Sequence, residues 1–206
     1  MPRAQGQIDV RKHEAILDAA VEVLAERGVH APIEEVARRA GVSKQTIYNH
    51  YGSKTELVRT LVERRRNRIT TPLDQATPGD RVEDTLASYA QAILELIVAP
   101  NSIQLLRMGV TSAIEMPDLA RTIYEAGSRA SRLRLAEFLA GATHDEVAVD
   151  NPAEAADMFL GMVATGIQVR LLLGLDAGIE LHDIPTRARE CARRFVQAYA
   201  PKANPA

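Results

Sequence analysis

The sequence predicts an all-α protein of about nine helices, and three observations carry that prediction. Apolar residues recur at helical spacing along nearly the whole chain, no stretch alternates as a half-buried strand would, and Pro100, Pro117, Pro152 and Pro185 fall at or near helix starts. With 206 residues, 46% hydrophobic and 25% charged, the chain has ordinary globular composition and enough length to bury a core.

The elements follow in order. Ile16, Ala19, Ala20, Val23 and Leu24 form the stripe of an amphipathic helix running from about Asp9 to Gly28, a residue free to take the left-handed C′ conformation. Ile33, Val36, Ala37 and Ala40 mark a second, shorter helix stopped by Gly41. Ser43 is a good N-cap for a third, with Ile47 and Tyr51 on its packing side. Gly52 breaks the chain, and Ser53-Lys54-Thr55-Glu56 reads as a capping box opening a fourth helix with Leu57, Val58, Leu61 and Val62 inward. Pro72, Pro78 and Gly79 make the stretch from Thr70 to Asp80 the candidate boundary. Beyond it, helices are predicted over 81–98, 102–115, 118–140, 152–173 and 183–200. The expected domains are a helix-turn-helix unit, 1–68, and a helical unit, 80–206.

The chemistry lies in the first of these. Ala40 to Lys44 is a turn so short that its helices must cross steeply, with Gly41 ending one, Val42 plugging the angle and Ser43 capping the next. The helix after it is pushed outward and offers Lys44, Gln45, Thr46, Tyr48, Asn49 and His50, with no acidic residue among them. Such a row suits a phosphate-lined major groove. Gln45 and Thr46, near the helix start, are placed for base edges: Gln for adenine, the Thr methyl for thymine. Tyr48, His50 and Lys54 suit phosphates, as does the partial positive charge of the fourth helix's N-terminus at Ser53. Arg11 and Lys12 could reach a flanking phosphate. Charge distribution agrees. Residues 1–68 hold 13 Lys and Arg against 9 Asp and Glu, and the remainder 12 against 18. The plain alternative is a structural three-helix unit whose polar face is merely solvated.

The segment from Ile33 to Leu57, I-E-E-V-A-R-R-A-G-V-S-K-Q-T-I-Y-N-H-Y-G-S-K-T-E-L, resembles the DNA-binding signature of the TetR family of bacterial regulators. Ala31-Pro32 stands where the family often has a Ser or Thr cap, which removes a hydroxyl contact to phosphate. From Tyr89 to Leu175, with M-P-D-L-A-R-T-I-Y-E-A-G and M-F-L-G-M-V-A-T-G-I-Q-V-R-L-L-L-G, the chain also resembles regulators with an AefR-like C-terminal domain. The resemblance implies a homodimer whose C-terminal helices bind a small molecule that controls affinity for double-stranded operator DNA. The expected function is therefore a repressor released from a pseudo-palindromic operator by a small, apolar effector.

Candidate pocket residues are Tyr89, Ile93, Leu106, Met108, Tyr124, Phe159, Met162 and Gln168, each of which could equally be core. Small residues Gly161, Ala164 and Gly166 on the penultimate helix, with Phe195, Val196 and Tyr199 on the last, suit a four-helix dimer interface or ordinary intrachain packing. Arg64 to Arg68 lies too far past Lys54 to share its groove and is read as a salt-bridging face. The five histidines lack ligand spacing, so no metal and no cofactor are expected. No nucleophile elbow, P-loop or zinc-protease motif supports the rival reading of an enzyme in the C-terminal body. Short apolar runs, a first ten residues without an apolar signal segment, and one cysteine, Cys191, predict a cytoplasmic protein with no membrane partner.

Overall fold

The computed structural model describes residues 10–99, 102–142 and 146–201, which form helices and connecting turns with no strand among them. Helix α1, Val10–Arg27, buries Ile16, Leu17, Ala19, Ala20, Val23 and Leu24, the predicted stripe with one residue added. It ends at Gly28, whose φ of 64° is the left-handed conformation expected of a C′ glycine. A 3-10 turn, Gly28–His30, leads to α2, Ile33–Ala40, and then to α3, Lys44–Tyr51, and α4, Lys54–Gln75. The other helices are α5, Val82–Val98; α6, Ser102–Ser112; α7, Pro117–Tyr124; α8, Ala130–Gly141; α9, Pro152–Leu172; and α10, Ile184–Ala198. None of them is by itself long and apolar enough to cross a membrane among the described residues.

Two elements depart from the sequence reading. Helix α4 runs through Pro72 to Gln75, so the stretch from Thr70 onward is not all linker. Thr70 and Leu73 are buried on that turn, and their packing outweighs the helix-breaking preference of one proline. The helix expected over 118–140 is continuous but not uniform, α7 passing into α8 through a π-helical turn at Glu125–Arg129. Within that turn Gly127 faces α4 so closely that a Cβ there would lie 3.0 Å from Val62 Cγ1.

The described residues divide into two compact units that do not follow chain order: 1–65 with 104–127, and 66–103 with 128–206. In the first, the stripe of α1 packs with Ile33, Val36, Ala37, Ile47 and Tyr51 and with Leu57, Val58, Leu61 and Val62 of α4. Met108, Leu119, Ile123 and Ala126 close the same core. In the second, α5 packs along α10, and α9 packs against α5, α8 and α10. Its centre is aromatic: Tyr89 stacks on Phe159 at 6.3 Å, and Phe159 meets Phe195 edge-on at 5.2 Å. The Tyr89 hydroxyl is satisfied by Ser131 Oγ at 2.7 Å. Of the residues that suited either an interface between protomers or intrachain packing, Phe195 and Ala164 take the second role and are buried in this core.

Candidate nucleic-acid interface

The geometry of α3 is set at both ends. The backbone N–H of Val42 donates to Ala37 O at 3.0 Å and that of Gly41 to Arg38 O at 3.3 Å, closing α2, while Gly41 takes φ 65°. Ser43 then caps α3, its Oγ accepting from Thr46 N at 3.0 Å. That hydroxyl also shares a hydrogen bond of 2.8 Å with Thr46 Oγ1, so both hydroxyls take part in the cap. Gly52, at φ 74°, ends the helix, and Ser53 Oγ accepts from Glu56 N at 3.1 Å to open α4.

Helical periodicity distributes the six polar side chains of α3. At about 100° per residue, Ile47 and Tyr51 share one seam, and it is the buried one, with exposures of 1% and 8%. Gln45 and Asn49 lie directly opposite, on the outermost line. Lys44 and Tyr48 run along one flank, Thr46 and His50 along the other. Gln45 Nε2 donates to Asn49 Oδ1 at 2.6 Å. Lys44 pairs with Glu34 at the start of α2, and its ammonium sits 5.6 Å from the centre of the Tyr48 ring. His50 meets Tyr51 edge-on at 4.6 Å and His13 at 5.5 Å, while the Tyr51 hydroxyl and His13 Nδ1 share a hydrogen bond of 2.9 Å.

Lys54 differs from the others. Its ammonium donates to the carbonyls of Val29 and Ala31, at 2.5 and 2.6 Å, and ties the start of α4 to the turn before α2. Burial works against its charge and lowers its pKa, and the two carbonyls supply the compensation. Neither this role nor the partners Glu34 and His13 have a signal in the sequence, because the residues concerned are 10 to 38 positions apart. Arg64 bonds Glu14 at 2.8 Å and Asp18 at 2.9 Å on α1, the salt-bridging use expected of the arginine run. Glu35 braces the same region. Its hydrogen bonds to Arg38 first, and Arg39 as well, hold its carboxyl at about 2.

The pocket candidates are not brought to one place. Tyr89, Ile93 and Phe159 are closed in the core of the second unit, whereas Met162 and Gln168 are partly exposed on α9. Leu106, Met108 and Tyr124 belong to the first unit, Met108 in its core and Tyr124 half-exposed. A cleft of about 340 Å³ lies between α4 and α8, lined by Arg66, Asn67, Thr70, Asp74, Leu133 and Arg134 among others, none of them a candidate.

Comparison with known proteins agrees along the chain. Residues 16–61 match the family model described as bacterial regulatory proteins of the tetR family, and residues 84–201 match that of the AefR-like transcriptional repressor C-terminal domain. An HTH-type transcriptional repressor of Mycobacterium tuberculosis is 28% identical over 127 residues, 61% of this chain and 67% of the relative. Among solved structures, a TetR-family regulator of Mesorhizobium loti superposes with a TM-score of 0.74 at 24% identity, covering 93% of this chain and 98% of that one. The flavonoid-responsive regulator FrrA does so with a TM-score of 0.66 at 27% identity, covering 95% and 100%.

Proposed function

Because the chain belongs to the TetR family of bacterial transcriptional regulators, we propose that it is a homodimeric repressor reading a pseudo-palindromic operator through α3 and released by a small, apolar effector. The relatives are regulators and not enzymes, which closes the reading of a catalytic C-terminal body. The observation that carries the proposal is the arrangement of α3: a locked apolar seam inside, amides on the outermost line, and Lys44, Tyr48 and His50 on the flanks. A helix of that cross-section fits a major groove with its crest at the base edges and its flanks at the two phosphate walls. Gln45, Asn49 and the Thr46 methyl take the bases. Lys44, Tyr48 and His50 take phosphates, while Ser43 and Lys54 fix the helices that present them.

Homodimerisation follows from the same logic, since one short helix covers too few base pairs for a specific site. An exposed apolar line on α9 supports it: Met158 and Val169 are each 52% exposed, with Gly161, Met162 and Gly166 between them. An apolar effector within the C-terminal helical domain, 80–206, is supported by the likeness to a flavonoid-responsive regulator. The protein acts in the cytoplasm, where its DNA is. A coupling of about 1–3 kcal/mol between effector and operator would suffice for a useful response.

The test is a titration of the full-length protein on DNA from its own promoter region across a salt series, with random DNA as control. Tight, salt-dependent, sequence-selective binding by a dimer is the expected result. Binding equal on the two DNAs at every salt concentration, repeated on genome-wide fragments, would overturn it.

A further inference from the structure

We propose that Gln45 and Asn49 act as one reading unit that selects adenine at a single position of each half-site. The inference rests on the reading of α3 as the DNA-contacting helix and goes beyond it by naming the base and the coupling.

The side chains of α3 differ in what they have left to offer. Thr46 has its hydroxyl in the Ser43 cap, Lys44 is paired with Glu34, and His50 packs against Tyr51 and His13. Gln45 and Asn49 are exposed one turn apart, on the line farthest from the buried seam of Ile47 and Tyr51. The bond from Gln45 Nε2 to Asn49 Oδ1, 2.6 Å long, uses one donor and one acceptor. Gln45 keeps Oε1 and the second Nε2 hydrogen, an acceptor beside a donor, while Asn49 keeps both Nδ2 hydrogens. Turning both amides over exchanges the roles and still leaves the glutamine an acceptor beside a donor, held in place by Asn49.

Within a single base, adenine alone answers that pattern, whereas a G·C pair answers it only across two bases, through guanine O6 and cytosine N4. Adenine carries the N7 acceptor next to the N6 amino donor. Guanine sets two acceptors, O6 and N7, against the free carbonyl, so one faces oxygen lone pairs. Thymine offers an acceptor and a methyl, and cytosine only a donor. The pairing also fixes a side chain that would otherwise lose rotamer freedom on binding, so the cost of ordering Gln45 is met before DNA arrives. A glutamine reading adenine alone would need no help from Asn49. The coupled pair does, and that difference is measurable.

Full-length protein and its Gln45→Ala, Asn49→Ala and double variants are each used to select duplexes from a randomised pool. The wild-type site is then titrated with adenine replaced by each other base. The wild-type protein is expected to enrich adenine at one two-fold-related position, with replacement there weakening binding by about tenfold or more. Either single variant loses that preference, and the double variant loses no more than either. Retention of the adenine preference by Asn49→Ala would overturn the inference, as would loss at two different positions or enrichment of another base where both variants act. Each of these leaves sequence-selective DNA binding intact. Absence of any enrichment by the wild-type protein would overturn both the inference and the reading beneath it. Both positions are exposed on a helix and alanine is a strong helix former, so circular dichroism is expected to be unchanged.

Discussion

Replacing Lys54 by Met separates a structural lysine from a DNA contact. The ammonium donates to two carbonyls, Val29 O at 2.5 Å and Ala31 O at 2.6 Å, from a half-buried position. Hydrogen bonds from a charged donor contribute roughly 1.5–3 kcal/mol each when well protected. Solvent access at this site argues for the lower end, about 1.5 kcal/mol each, and methionine retains part of the packing of the lysine stem, so the loss is about 3 kcal/mol for the pair. With a urea dependence of about 2 kcal/mol per molar, the unfolding midpoint should fall by about 1.5 M. Operator binding, measured well below that midpoint, should keep its salt dependence, because the ammonium's hydrogen bonds go to carbonyls of the protein and not to a phosphate. A phosphate contact would behave in the opposite way: an unchanged midpoint, and a slope of log affinity against log salt shallower by about 0.9. That second outcome would refute the assignment of Lys54 to the fold.

Glu34→Gln releases Lys44 from its carboxylate partner. Binding to random DNA should strengthen, with a steeper salt dependence, in an electrophoretic or anisotropy titration. His13 is faced by His50, Glu14, Arg64 and the Tyr51 hydroxyl, and burial first, then the charge of His50, holds its pKa below 6.5. Between 6.5 and that lower value the unfolded chain binds more protons than the folded one, so stability should fall as pH drops through this window. His13→Gln should remove that slope in thermal melts. The loss from Glu35, whose carboxyl moves from 4.5 to about 2, belongs to far lower pH and should persist. Met162→Glu places a charge on the exposed apolar line of α9. Sedimentation should report a monomer with unchanged helicity and weakened operator binding.

How much was legible differs from element to element. The run from α2 to the start of α4 was readable nearly to the residue, because its signals are local: glycines that take positive φ, serines that cap, and an apolar seam of period 3.6. The π-helical turn between α7 and α8 was not, since a lone glycine in a helical pattern is ordinarily tolerated and only the approach of Val62 gives Gly127 its meaning. Pro72 misled for the converse reason, a local preference overruled by the burial of Thr70 and Leu73. Phe195 has the hydrophobicity of an interface residue and of a core residue alike, and sequence carries no term that separates them. The partners of Lys44, Tyr51 and Lys54 come from other helices and turns, where single-residue chemistry is silent.

The first compact unit is assembled from two stretches of chain, and this bears on how such regulators can be recombined. A fragment cut after α3 and the first half of α4 would leave behind Met108, Leu119, Ile123 and Ala126, which complete its apolar core. Transplanting the reading head onto another body by a single crossover near residue 68 would therefore import a foreign patch into that core. A hybrid that keeps its operator specificity and its fold should need a second graft, 104–127, taken from the same parent. Domain shuffling in this architecture is thus expected to need a two-segment exchange, with packing setting the boundary.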